Sequence, residues 1–159
     1  LIESYANSNL PQKKIHLVIL GTGEEQDKLE KKILDLKIET KVHLLGFKEN
    51  VWDYISNAKF SVLSSQYEGF PMTILESLSL GIPVISFDCE SGPNEMIINN
   101  HNGILVENQN FTELTHKMNI FVEDEILYQN CKNNSVSSVS KFQSEVVVNQ
   151  WLQILNYGN

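Results

Sequence analysis

Short apolar runs, each closed by a turn and followed by a helical pattern, recur along this chain and leave few folds open to it. Ile15-His16-Leu17-Val18-Ile19-Leu20 is nearly continuous in apolar residues. A run that short, with little polar alternation, reads as a strand buried on both faces. Gly21-Thr22-Gly23 ends it. From Glu24 to Leu36 the period changes, and Leu29, Ile33 and Leu36 fall on one face of a helix. Glu24 with Lys28, and Asp27 with Lys31, stand four apart in the order that supports a solvated helix face. Lys41 to Leu45, Phe60 to Ser64, Pro83 to Phe87 and Ile104 to Val106 read as further strands. Proline is acceptable at a strand's first residue. Asn50 is placed to cap a short helix through Ile55. Pro93 to Ile97 reads as another short helix, and Asn99 to Gly103 as a turn cluster. Helices are expected near Phe111 to Val122, Asp124 to Cys131 and Ser144 to Ile154, with the Ser/Asn-rich Lys132 to Ser140 a loose linker. Strand and helix in alternation predict an α/β fold, a parallel sheet with helices on both faces.

At 159 residues the chain fits one domain with an ordinary core. Its 20 acidic residues outnumber 12 basic ones, for a net charge of −8, and every basic residue is Lys. Phosphate-backbone binding needs clustered cations, so a nucleic-acid partner is not expected. Cys89 and Cys131 lie far apart in no CxxC, which predicts a reduced, cytoplasmic protein. His16, His43, His101 and His116 show no metal-ligand spacing, and no metal is expected. No apolar run approaches the roughly 20 residues of a membrane span, and no signal peptide is visible. Leu1 to Ala6 reads as the tail of a helix, and the chain is expected to be a piece of a longer protein.

One segment carries chemistry: Glu68-Gly69-Phe70-Pro71-Met72-Thr73-Ile74-Leu75-Glu76. Val62 and Leu63 before it belong to a strand, and Ser77 to Leu80 continue a helix that Gly81 stops. Pro71 suits the first helical position, where no N–H is needed. The amides of Met72, Thr73 and Ile74 would then lack intrahelical partners. Such a helix start is partly positive and can hold a phosphate. One of the two carboxylates can accept hydrogen bonds from sugar hydroxyls, and the other from a ribose.

At these residues the chain resembles the retaining GT-B glycosyltransferases of the GT4 type, among them bacterial surface-polysaccharide transferases. Their pattern is Glu, seven residues, Glu, with Gly-Phe-Pro after the first. Here Gly81-Ile82-Pro83-Val84-Ile85 follows. The resemblance implies a Rossmann-like sheet forming the C-terminal, nucleotide-sugar-binding half of a GT-B fold. The N-terminal acceptor domain and the first strand would lie outside residues 1–159. Glu68 would be the catalytic residue orienting the donor sugar, with Gly69, Phe70 and Met72 facing it. Leu75 would serve the phosphate and Glu76 the ribose, with Thr73 among the donor-binding residues.

The resemblance extends through Val18 to Gly23, Val42 to Phe47, Glu95 to Val106, and Trp151. It implies that the base docks at Gly46-Phe47-Lys48. Phe47 as a packing residue and Lys48 as a solvated cation is the other reading there. The family has an acidic residue between its two glycines, where this chain has Thr22. Gly21 and Gly23 therefore serve either a ligand or simply a tight turn. Position 26 is Gln, so the third glycine of a dinucleotide fingerprint is missing. The run Asp88-Cys89-Glu90-Ser91-Gly92-Pro93-Asn94-Glu95 is also similar to one in bacterial transferases. Glu95 reads equally as a first-turn acidic residue favoured by the helix dipole. No Gly-x-Ser-x-Gly and no P-loop is present.

The implied function is retaining transfer of a sugar from a nucleotide-diphospho-sugar, a UDP-sugar above all, without a cofactor. The acceptor would be a sugar, polysaccharide or glycolipid hydroxyl, with peripheral membrane association of the full-length protein. A 2-epimerase-like enzyme and a non-catalytic nucleotide-sugar-binding module are the alternatives.

Overall fold

The computed structural model describes residues 1–156. It opens on α1 (Ile2–Ala6), then alternates β1 (Leu17–Ile19), α2 (Gln26–Asp35), β2 (Val42–Leu44), α3 (Val51–Ser56), β3 (Ser61–Leu63) and α4 (Met72–Ser79). β4 (Val84–Asp88), α5 (Pro93–Met96) and β5 (Gly103–Glu107) follow, then α6 (Phe111–Glu123), α7 (Glu125–Ser138), a 3-10 turn at Ser140–Phe142, and α8 (Ser144–Asn156). This is the expected α/β architecture, and every strand pairing is parallel.

Hydrogen bonding divides the strands into two groups, β1-β2 and β3-β4-β5. A cavity of about 930 Å³ is lined by residues of both groups, among them Leu17, Val18, Ser61 and Val62. The first ladder is shorter than the apolar run predicts. The Tyr5 hydroxyl donates to the Ile15 carbonyl at 2.8 Å, so that end of the run bonds outside the sheet.

β4 shows why the central strands read as continuous apolar runs. Its alternate residues enter different cores. Ile85 and Phe87 pack with Ile104, Val106, Leu114, Met118 and Phe121, while Val84 packs with Ile74, Leu78, Met96, Ile97 and Val139. Each such side chain contributes about 1.5–3 kcal/mol by leaving water. α4 is therefore anchored by Ile74 and Leu78 on its inner face, which fixes where its N-terminus points.

Two local expectations are corrected. Lys132 to Ser140 is not a loose linker: α7 runs on to Ser138. Ser135 and Ser138 hydroxyls donate to the carbonyls of Cys131 and Ser135 at 2.8 and 2.6 Å, which satisfies these polar groups without leaving the helix. On α2 the helix starts after Glu24, and Lys28 pairs with Glu25 at 2.8 Å instead. No helix of the described residues is long and apolar enough to cross a membrane.

Candidate functional site

Parallel strands deliver their following loops to one edge of a sheet, where ligands bind in open α/β folds. The loops after β1 and β2 meet there, because the Gly21 amide donates to the Gly46 carbonyl at 2.8 Å. Both residues have positive φ, 112° and 68°, which glycine adopts without strain. Gly21, Phe47, Lys48 and Thr73 are among the residues that line the cavity between the sheets. Phe47 is 73% exposed among the described residues. Lys48 is half-buried, and no carboxylate among the described residues pairs with it. Gly23 is exposed, with open space where a Cβ would stand.

β3 leads into the loop carrying Glu68. Pro71 is the N-cap of α4 rather than its first helical residue, because its ψ of 90° is extended. The Ile74 amide turns back to the Pro71 carbonyl at 2.9 Å and is not free. That corrects the set of open donors: among the described residues, the amides of Met72 and Thr73 have no acceptor. Two unpartnered amides at the positive end of a packed helix can donate to a phosphate oxygen. Leu75, partly buried, packs its side chain against the core beneath α4.

Glu68 and Glu76 are both half-buried and flank that helix start, one in the preceding loop and one in the second turn. Neither forms an ion pair among the described residues, so both carboxylates are available as acceptors. Gly69 is exposed, and Phe70 and Met72 are 45% and 52% exposed. The Glu68 to Glu76 segment does not line the cavity shared by Gly21, Phe47 and Lys48, except through Thr73 and Ile74.

Several contacts around the site go beyond what the sequence pattern predicts. The Ser91 hydroxyl donates to the Glu68 carbonyl at 2.7 Å. Asn108 Nδ2 donates to the Gln66 carbonyl at 3.2 Å. Lys141 Nζ donates to the Glu95 carbonyl at 2.9 Å, while the Glu95 side chain stays exposed. The only sequence signal for any of these is the Ser-Gly-Pro turn itself. His16 and His43 stand side by side, ring nitrogens 2.8 Å apart, beside and on the paired strands β1 and β2. No group of three or more His, Cys, Asp or Glu among the described residues is placed to hold a metal. Cys89 and Cys131 are free and buried, and burial pushes the Cys131 thiol up to about 11.

The family described as glycosyl transferases group 1 matches residues 1–137. The chain is 32% identical over 155 residues to the N-acetylgalactosamine-N,N'-diacetylbacillosaminyl-diphospho-undecaprenol 4-alpha-N-acetylgalactosaminyltransferase of Campylobacter jejuni, which is 98% of this chain and 42% of that protein. It is 30% identical over 139 residues to the poly(ribitol-phosphate) alpha-N-acetylglucosaminyltransferase of Staphylococcus aureus, 87% of this chain and 28% of that protein. A variant of TarM from S. aureus, solved in complex with fondaparinux, alpha-GlcNAc-glycerol and UDP, superposes with a TM-score of 0.85 at 29% identity. That match covers 98% of this chain and 32% of the TarM chain. The chain thus spans less than half the length of the curated relatives it matches.

Proposed function

The chain belongs to the glycosyl transferases group 1 family, and we propose that it is the C-terminal, donor-binding half of a retaining GT-B glycosyltransferase. The observation that carries this reading is the start of α4. Two amides without an acceptor among the described residues, at Met72 and Thr73, stand in the chain between a loop carboxylate at Glu68 and a helix carboxylate at Glu76. A nucleotide-diphospho-sugar has the matching parts: a sugar rich in hydroxyls, an anionic diphosphate, and a ribose diol.

In this reading Glu76 accepts hydrogen bonds from the ribose. The α4 amides hold the phosphate that becomes part of the leaving group, and stabilise the negative charge growing on it as the glycosidic bond breaks. Glu68 orients the sugar through its hydroxyls, with Gly69, Phe70 and Met72 around it. Phe47 and Lys48 receive the base, with Gly21 and Gly23 beside them. A uridine base is supported by the likeness to the TarM chain solved with UDP. A surface polysaccharide or lipid-linked acceptor is supported by the relatives' names, one of which specifies a diphospho-undecaprenol carrier. Such an acceptor would bring the whole protein to a membrane surface, and an N-terminal domain would supply its binding site.

The test is a thermal-shift and calorimetry panel with UDP-, GDP- and ADP-sugars, since a ligand of the folded state raises its midpoint by mass action. UDP-sugars should shift the wild type. Glu76→Ala should weaken UDP by about 1–3 kcal/mol, the scale for a lost charged acceptor. UDP affinity unchanged in Glu76→Ala would remove the ribose role.

A further inference from the structure

The turn after β4 is built tightly against the Glu68 loop. Gly92 has φ +95°, and a Cβ there would stand 2.4 Å from Pro71 Cδ and 2.8 Å from the Gly69 carbonyl oxygen. Both are far inside van der Waals contact, and the second is with backbone that cannot swing aside. Gly92 and Pro71 are both buried. One residue earlier, the Ser91 hydroxyl donates to the Glu68 carbonyl at 2.7 Å. Ser91 and Glu68 are 23 positions apart, so this bond ties two separate loops. Gly92 also caps α5, with the Glu95 amide donating to its carbonyl at 3.1 Å, which anchors the turn from its other side.

We propose that Ser91 and Gly92 are positioning residues for the donor loop. The Ser91 hydroxyl donates to the Glu68 carbonyl, and that hydrogen bond holds the peptide plane between Glu68 and Gly69. Gly92 sets how deeply Pro71 can seat, and Pro71 is the cap from which α4 begins. Together they decide where the Glu68 carboxylate stands relative to the Met72 and Thr73 amides. Neither acts on the donor except through Glu68 and Pro71. The consequence for binding rests on the function proposed above; the consequence for the loop does not.

The two parts are separated by measuring the loop without ligand and the donor with it. Backbone order parameters at Gly69 and Phe70 are compared in the wild type, Ser91→Ala, Ser91→Thr and Gly92→Ala. The wild-type loop should be near the rigid value of about 0.85, and both alanine variants should fall toward about 0.6 at these residues while the strands stay unchanged. Ser91→Thr keeps the hydroxyl and should restore the wild-type value. Calorimetry then compares UDP-N-acetylglucosamine with UDP. Ser91→Ala should weaken the sugar nucleotide about fivefold, the scale of one lost hydrogen bond, with UDP changed less than about twofold. Unchanged order parameters in Ser91→Ala, or loosening spread evenly over the fold with equal loss for both ligands, would overturn the proposal. A wild type that binds neither ligand would refute the uridine-nucleotide donor, and the order parameters would still decide whether Ser91 and Gly92 position the loop. Should Gly92→Ala fail to fold, the two Ser91 variants decide the matter alone.

Discussion

The Phe142 ring stands edge-on to Phe70, centroids 5.5 Å apart at 74°, so the turn after α7 braces the loop that carries Glu68. Lys141 beside it donates to the Glu95 carbonyl and lies over the Phe142 ring. Residues from the C-terminal part of the chain therefore support a loop from its middle.

Phe142→Ala should destabilise the fold by about 1–3 kcal/mol, combining the aromatic pair with partial cavity formation under α4. Urea unfolding measures it. The loss should be recovered largely by Phe142→Tyr, which keeps the ring. A stability within error of wild type would show that the contact with Phe70 carries no energy.

What can be read from the sequence follows from local physics. β4 and β5 are legible because both faces are buried, which forces continuous apolar runs. The Glu68 to Glu76 segment is legible because a strand leads into it and a Gly-x-Pro turn and an amphipathic helix follow. The start of α4 differs by one residue from the sequence reading, since Pro71 fits either N-cap or first-turn geometry and only ψ separates them. The continuation of α7 is hidden because Ser and Asn suggest a loop, while here Ser135 and Ser138 bond back to their own helix. Ser91 to Glu68 and Phe142 to Phe70 are not legible at all. They join residues distant along the chain, and no period or spacing encodes them.

Alkaline pH should destabilise this protein through Cys131. Burial raises the thiol from 9.0 to about 11 in the folded state. Its neutral form is favoured by folding, so the contribution is complete below about pH 9 and is lost as pH climbs toward 11. Tyr5 and Tyr128 are raised in the same direction by burial and act at higher pH. Melting followed by circular dichroism under reducing conditions should show a steeper fall of Tm from about pH 9 to 11 in the wild type than in Cys131→Ala. Parallel falls would assign the alkaline loss to other groups.

Glu68→Gln in the intact enzyme should cut turnover at least about tenfold, equivalent to about 1.4 kcal/mol of barrier. The amide keeps the shape and the Ser91 contact, which uses the backbone carbonyl. It removes the charge that, in the proposed function, orients the sugar hydroxyls. UDP affinity should change little, because the proposed function assigns the nucleoside end to other residues. An unchanged rate at saturating donor would take Glu68 out of the site.

Gly21 and Gly23 look alike in the sequence and differ in the structure. Gly21 needs its glycine for the backbone: φ is +112°, a region that side chains rarely adopt. Gly21→Ala should therefore lower stability by about 1 kcal/mol or more, and would loosen the junction with Gly46. At Gly23 nothing among the described residues lies within 4 Å of where a Cβ would stand and φ is not positive, so these residues give no reason for glycine. If the loop approaches a nucleotide, the ligand supplies that reason. Gly23→Ala should leave Tm within about 2 °C of wild type, as for surface substitutions of under about 0.5 kcal/mol. It should weaken UDP about tenfold in calorimetry, since a methyl group would stand where the diphosphate or base comes close to the backbone. Wild-type affinity in this variant would leave Gly23 as a turn residue and confine the nucleotide to Gly46-Phe47-Lys48 and the start of α4.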